Sequence, residues 1–338
     1  MTRRTRVLQT AIVVIVGIGT FAKVEVVRSL QSPVIAPLSQ VAPFPADNPT
    51  TPEKVALGKQ LFFDPRLSGD NSRSCASCHL PDRAFTDGLE RARGTGSKQL
   101  ARNTPTLLNV GYYSAYFWDG RAGTLEAQAL IPISSTDEMD QTPSEMEKEL
   151  NAIPGYVSQF QAVFGSRVTK ENIARALAAF ERTLISRNSP FDRFLAGDNN
   201  ALSDEAKRGW ELFKGDAGCI RCHNGPTLSD SKFYRLGVAF TDQGRGAITG
   251  QRREVHAFRT PSLREVARTA PYMHDGSLHT LSEVVEFYYR GVPRQSPDGS
   301  ALDVEPLLDR SFSEISALVA FLESLNGDVE RVSVPRLP

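Results

Sequence analysis

The chain has 338 residues, 39 basic and 39 acidic side chains with a formal net charge of zero, and 40% hydrophobic residues. This charge balance argues against a nucleic-acid-binding protein, and a protein partner would have to dock on a local patch. The length is sufficient for two domains with sizeable cores.

The first segment, residues 1–28, has the pattern of an export signal. Three arginines lie within its first six residues, and Val7–Ala22 is uncharged and mostly apolar, shorter than the roughly 20 residues of a membrane-spanning helix. Thr20 and Ala22 form only a weak cleavage site. The segment is therefore either a signal peptide or an amino-terminal membrane anchor. Both place the folded chain in the periplasm, either soluble or tethered to the inner membrane by the proline-rich linker 29–50.

A helix is predicted to begin after Thr51, because threonine is a good N-cap and Pro52 suits the first helical position. A second helix is predicted in the same way after Ser203. Both contain the pattern Gly-x-x-Leu-Phe, at 58–62 and at 209–213. This weak internal duplication predicts two domains built on one plan.

Each of these helices is followed by a Cys-x-x-Cys-His motif, at 75–79 and at 219–223. Two cysteines at this spacing can form thioethers to the vinyl groups of a haem, while the adjacent histidine binds its iron. A structural zinc site would need its cysteine pairs roughly 12–20 residues apart, and two disulfides would leave both histidines unexplained. We therefore expect two covalently bound haems c. The predicted attachment cysteines and iron ligands are Cys75, Cys78 and His79, and Cys219, Cys222 and His223.

Further helices are predicted from Thr169, from Thr280, and near the end of the chain, where Gly327 is expected at the C′ position. No long stretch alternates with the period of a β-strand. The expected fold is mainly α, with two cytochrome c-like haem domains and long loops. The predicted boundaries of these domains are 51–195 and 196–330.

Four further stretches are Arg-Asn-Thr-Pro-Thr at 102–106, Phe-Trp-Asp-Gly-Arg at 117–121, Phe-Arg-Thr-Pro-Ser-Leu-Arg at 258–264 and Ala-Pro-Tyr-Met-His-Asp-Gly at 270–276. Together with the haem motifs, they resemble the bacterial dihaem cytochrome c peroxidase family, which includes the MauG-type enzymes. The resemblance covers roughly 52–327. It implies that the first haem reacts with hydrogen peroxide and that the second haem passes electrons to it.

The resemblance also assigns roles to individual residues. Glu138 matches the family's distal glutamate, which would move a proton between the two peroxide oxygens, and Gln128 matches its distal glutamine. Spacing alone favours a solvated acid at Glu138, and Asp137 is the neighbouring rival. Trp118 matches an indole between the haems that would relay electrons, against the alternative of a packing aromatic.

A calcium ion between the domains is a further implication of the resemblance. Its ligands would be the side-chain oxygen of Asn103 and the backbone carbonyls of Thr269 and Pro271, which are hard oxygen donors of the kind that calcium prefers.

The sequence departs from the common peroxidase pattern at the first haem. No histidine occurs between His79 and His223, and Thr95 falls where many family members carry a histidine that blocks the peroxide site. We expect the first haem to be open to peroxide without prior reduction.

It departs again at the second haem, where a methionine is typical. Tyr288 matches the tyrosine ligand of MauG-type proteins, and Met273 is the alternative ligand. His256, His274 and His279 could also ligate by chemistry alone, and His274 is expected to be a structural or relay residue near the second haem.

Three functions compete. The first is a peroxidase that reduces hydrogen peroxide to water with electrons from a small cytochrome c or a copper protein. The second is a MauG-type oxidase, in which peroxide-derived oxidising equivalents withdraw electrons from a protein or another bulky donor. The third is a plain electron carrier, which would need two six-coordinate haems. The resemblance further implies a homodimer, and an uncleaved amino terminus would add membrane association.

Overall fold

The computed structural model describes residues 35–293, 295–297, 299–304 and 312–338. The predicted signal or anchor lies outside these ranges. Residues 35–51 contain no helix or strand. Among the described residues, none of the helices combines the length and the apolarity that crossing a membrane requires.

The described chain is mainly helical, as predicted. Its helices are α1 Pro52–Phe63, α2 Leu125–Ser134, α3 Pro143–Asn151, α4 Pro154–Phe164, α5 Lys170–Glu181, α6 Pro190–Leu195, α7 Asp204–Lys214, α8 Gly246–Thr249, α9 Leu281–Glu286 and α10 Phe312–Glu323. Strands β1 Ser186–Arg187 and β4 Asp328–Val329 form one antiparallel pair, and β2 Phe233–Tyr234 and β3 Phe258–Arg259 form another. Short 3₁₀ turns and long loops connect these elements.

The predicted helix starts are confirmed. The side chains of Thr51, Thr169 and Ser203 each accept a hydrogen bond from the backbone amide three residues later. Thr280 forms a capping box with Glu283. Each oxygen satisfies a backbone N–H that has no partner within its helix.

The predicted C′ position of the last helix is wrong, and the helix after Thr280 is short. The helix that begins after Thr280 stops at Glu286, and the chain continues in a π-helical turn, Phe287–Gly291, which contains Tyr288. α10 ends at Glu323, so Gly327 is not its C′ residue. Gly327 instead donates its backbone N–H to the buried carboxylate of Glu265.

The repeated Gly-x-x-Leu-Phe pattern corresponds to a helix–helix contact that occurs twice. α1 packs on α5 and α7 packs on α10. A Cβ atom on Gly58 would lie 1.9 Å from the carbonyl oxygen of Ala176, and one on Gly209 would lie 1.9 Å from that of Ala317. The glycines are therefore the points at which the two backbones touch.

Aromatic rings beside each glycine repeat as well. The ring centroids of Phe62 and Phe180 lie 5.1 Å apart in one core, and those of Phe213 and Phe321 lie 4.9 Å apart in the other. Two separate hydrophobic cores thus share one local plan, while the domain boundaries at 51–195 and 196–330 stay a prediction.

We predict that Gly58→Ala destabilises the protein. Alanine would gain about 1 kcal/mol in helix propensity, but the new methyl group would meet a backbone oxygen that cannot rotate away, so overpacking at roughly 1–3 kcal/mol outweighs the gain. Denaturant unfolding measures the difference. Gly123→Ala is the matched control, since a Cβ atom there meets nothing within 4 Å. Equal unfolding midpoints for both variants would contradict the close-contact role of Gly58.

Candidate functional site

The first Cys-x-x-Cys-His motif lines a cavity of about 690 Å³. It follows α1 as a 3₁₀ turn, Cys75–Ser77, in which the backbone N–H of His79 donates to the carbonyl of Cys75 at 2.9 Å. The imidazole Nδ1 of His79 donates to the carbonyl of Phe85 at 2.9 Å, which leaves Nε2 as a ligand atom. Burial lowers the pKa of His79, so the imidazole is neutral, the form that binds a metal.

The second motif lines a cavity of about 450 Å³ in the same way. The turn Cys219–Arg221 is again 3₁₀, and Nδ1 of His223 donates to the carbonyl of Leu228 at 3.0 Å. Burial also lowers the pKa of His223. Both motifs therefore present one free imidazole nitrogen into a cavity.

None of the four cysteines is in a disulfide, and all four line the walls of these cavities. Burial raises the pKa of Cys78 to about 11 and that of Cys219 to about 12, so neither is a reactive thiolate. Each cavity thus has two thiols and one imidazole, the donor set for covalent attachment and proximal ligation of a haem. The residues fit two haems c.

The predicted distal residues line the first cavity. Gln128 lies on α2, and Glu138 follows in the turn after that helix, where its backbone N–H donates to the carbonyl of Ser135 at 3.0 Å. Glu138 is half-buried, and burial raises its pKa. Asp137 also lines the cavity, but its side chain is 53% exposed and paired with Lys98. The two acids therefore differ in environment, and only Glu138 is held in a desolvated position.

Thr95 holds the backbone of Glu138 by two hydrogen bonds. Its N–H and its hydroxyl donate to the carbonyl of Glu138 at 3.0 and 2.8 Å. Thr95 is not among the residues that line the first cavity, although Gly94 is. This loop therefore clamps the backbone of Glu138.

Both candidates for the second axial ligand line the second cavity. Tyr288 lies in the π-helical turn, a distortion that is frequent at functional sites, and burial raises its pKa. Met273 lies on the same cavity wall with a left-handed backbone, φ 70°. Tyr289 and His256 line it too. Tyr289 is a rival that the sequence analysis did not consider.

One wall is common to both cavities, and Trp118 is part of it. The indole Nε1 of Trp118 donates to the carbonyl of Asn103 at 3.0 Å, which fixes the plane of the ring. Tyr113 also lines both cavities and was missed from the sequence. Its position just before the Phe-Trp-Asp-Gly-Arg stretch is the only signal that could have found it.

Of the other predicted residues, four line a cavity and His279 does not. Asn103, Thr269 and Pro271 line the second cavity together, and the Nδ2 of Asn103 donates to the carbonyl of Leu89 at 2.8 Å, which leaves its side-chain oxygen available. His274 lines both cavities and stacks on Phe258 with centroids 3.7 Å apart. His279 lines neither; it is exposed and lies 3.5 Å from Glu90.

An ionic network beside the common wall was also missed. Arg102 pairs with Asp119 at 2.5 Å and with Asp242 at 2.7 Å, and Asp119 pairs in turn with Arg121 at 3.0 Å. Arg102 is half-buried and Asp119 is buried, so the loss of either partner would leave a charge without compensation away from water. The network fixes the loop that carries Trp118.

Comparison with known proteins gives a consistent assignment. A family model described as di-haem cytochrome c peroxidase matches residues 52–200. A crystal structure of a MauG-like protein associated with microbial copper homeostasis superposes with a TM-score of 0.77 at 32% identity, covering 86% of this chain and 95% of that one.

Relatives match over most of the chain. The methylamine utilization protein MauG of Methylorubrum extorquens is 44% identical over 304 residues, covering 88% of this chain and 84% of the relative. Cytochrome-c peroxidase IdrP1 of a Pseudomonas species is 42% identical, and the match covers 87% of this chain and 86% of the relative. Cytochrome c551 peroxidase of Nitrosomonas europaea is 38% identical, and the match covers 90% of this chain and 89% of the relative. The chain therefore belongs to the di-haem cytochrome c peroxidase family of oxidoreductases.

Proposed function

We propose that this chain is an exported peroxidase that reduces hydrogen peroxide to water in the first cavity. The observation that carries this proposal is the half-buried carboxylate of Glu138 in the cavity that also contains the free imidazole nitrogen of His79. When bound there, the haem supplies an iron that coordinates peroxide and takes part in the reduction of its O–O bond. Two electrons and two protons convert one peroxide to two waters.

Glu138 moves the proton in this proposal. As a carboxylate, it would take a proton from one peroxide oxygen and return it to the other, which would leave as water. The clamp from Thr95 holds the backbone of Glu138, and Gln128 offers an amide that orients the peroxide. A preorganised acid–base group of this kind contributes about 10²- to 10⁴-fold to a rate.

Electrons reach the first cavity from the second in this proposal. A small cytochrome c or a copper protein in the periplasm would reduce the haem held by His223, and Trp118 would carry the electrons across the wall common to both cavities. Asn103, Thr269 and Pro271 would hold a calcium ion beside this route, since they offer oxygen donors on one cavity wall. Tethering to the membrane and a homodimer belong to the same proposal.

A MauG-type oxidase is the second candidate function. Tyr288 on the wall of the second cavity favours it, because an anionic oxygen ligand stabilises ferric and higher states of a haem. In this alternative, the same two haems withdraw electrons from a protein or another bulky donor.

Turnover should not require prior reduction. We expect the diferric protein to oxidise a reduced small cytochrome c with hydrogen peroxide as fast as the pre-reduced protein does, because no histidine occurs between His79 and His223 to block the first site. Steady-state kinetics on both forms measures this. Activation by pre-reduction would contradict an open site. Negligible turnover in both forms, with peroxide still changing the haem spectrum, would favour the MauG-type alternative.

Glu138→Gln should lower peroxide turnover by about 10²- to 10⁴-fold while peroxide binding changes little. Because burial raises the pKa of Glu138, and because the carboxylate form takes the first proton, activity should be lost as pH falls through that raised pKa. The acid limb of kcat/KM should disappear in Glu138→Gln. Asp137→Asn is the matched control. An equal loss in the control alone would transfer the proton-moving role to Asp137.

Tyr288→Phe should change the spectrum of the second haem, because the phenyl ring offers no oxygen to the iron. Met273→Leu should leave that spectrum unchanged. Electronic absorption and magnetic circular dichroism of the ferric protein distinguish the two. The reverse outcome would assign the sixth ligand to Met273, and no change in either variant would exclude both.

A further inference from the structure

Arg259 is a buried arginine that no carboxylate of the described chain neutralises. It is 6% exposed, as buried as Arg182 at 5% and Arg264 at 3%. Arg182 pairs with Glu126 at 2.8 Å, and Arg264 makes two hydrogen bonds of 2.9 Å to the carboxylate of Asp192. Within the described residues, Arg259 has no ion pair of this kind.

The partners that Arg259 does have are neutral. Its Nε donates to the carbonyl of Phe117 at 3.4 Å, and its Nη1 donates to the carbonyl of Thr260 at 3.1 Å. Its guanidinium carbon lies 4.5 Å from the ring centroid of Tyr113. Burial lowers the pKa of Arg259, but a guanidinium stays charged in proteins. A buried charge without a counter-charge is costly, so the fold leaves a requirement for an anion.

The position of Arg259 indicates where that anion would come from. Arg259 lines both haem cavities, and its backbone is fixed in β3, where its N–H donates to the carbonyl of Trp118 at 2.7 Å. His274 lines both cavities as well; it is 4% exposed, and its Nε2 has no hydrogen-bond partner in the protein. A second buried polar atom on the same wall therefore lacks a protein partner.

We propose that Arg259 binds the propionate carboxylate of a haem at the wall common to the two cavities. The inference rests on the haem-binding part of the function proposed above and deepens it. Propionate is the carboxylate that a haem brings into its cavity, and the planar guanidinium suits bidentate recognition of a carboxylate. The cofactor thus supplies the negative charge that the described protein residues do not place beside Arg259.

A functional consequence follows from the charge. A fixed positive charge beside a haem favours the ferrous form, which carries one positive charge fewer than the ferric form, and so raises the reduction potential of that haem. Arg259 would then be a positioning residue that sets the driving force for electron transfer across the wall, with no contact to peroxide.

The test is a potentiometric titration of the full dihaem protein, with the two haems followed separately by electron paramagnetic resonance. Arg259→Gln should lower the potential of the haem whose propionate it binds by about 59 mV, a tenfold change in a one-electron equilibrium. The pH dependence of that potential should move to higher pH, because a propionate without Arg259 protonates more readily. A shift at the His79 haem or at the His223 haem identifies which haem supplies the propionate.

Arg253→Gln is the matched control, because Arg253 is exposed and lines neither cavity. Potentials of Arg259→Gln that equal those of the control, with both haems attached, would overturn the proposal. They would leave the proposed function intact if peroxide turnover persists. Failure of the unmodified chain to attach haem would instead contradict the proposed function.

Arg259→Lys keeps the test decisive if the glutamine variant fails to fold. Lysine retains the charge but loses the bidentate geometry. We expect both potentials to stay near those of the unmodified protein, while the propionate bending band in the resonance Raman spectrum shifts. An unchanged band would show that Arg259 makes no contact with a propionate, and the proposal would be wrong.

Discussion

The backbone contact between paired helices is the constraint on which both cavities depend. At Gly58 and at Gly209, a side chain would collide with a carbonyl oxygen of the facing helix. Because these helices touch so closely, α5 places Leu177 on the wall of the first cavity and α10 places Leu318 on the wall of the second. Each haem motif is the next Cys-x-x-Cys-His stretch after its glycine-containing helix, so the helix contact and the motif belong to one short part of the chain.

The shared plan accounts for the two sets of thiols and imidazole, and departures from it make the two cavities different. The first cavity contains a buried acid from α5, Glu181, where the equivalent position of α10 is Leu322. Burial raises the pKa of Glu181 to about 8, so it is largely protonated at neutral pH and adds little negative charge beside the first haem. Glu138 of the first cavity follows α2, whereas the second cavity is bordered by the π-helical turn that contains Tyr288.

The sequence predicted the features that depend on local chemistry. Thr51 and Ser203 revealed helix starts because capping needs only neighbouring residues. The two Cys-x-x-Cys-His motifs pointed to a di-haem family because thioether attachment depends on a short local spacing. The π-helical turn after Glu286 was not predicted, since it has no local signal. The isolation of Arg259 could not be predicted either, because a missing ion pair depends on every residue that the fold brings near it. Thr95 was placed near the first cavity, but its clamp on Glu138 appears only in three dimensions.

The charged residues around the common wall differ in whether the protein itself neutralises them. Arg102 and Asp119 are neutralised within the protein, so they hold the Trp118 loop in place without demanding a ligand. Arg259, on the same wall, is left for an anion from the cofactor. Glu138 lies against the loop of Thr95, and the charge of Arg121, a member of this network, opposes the rise of its pKa. The residue that we propose to move the proton is therefore linked through Arg121 and Asp119 to the loop that carries Trp118. A change in the charge of Glu138 would act on this network as well as on the first cavity.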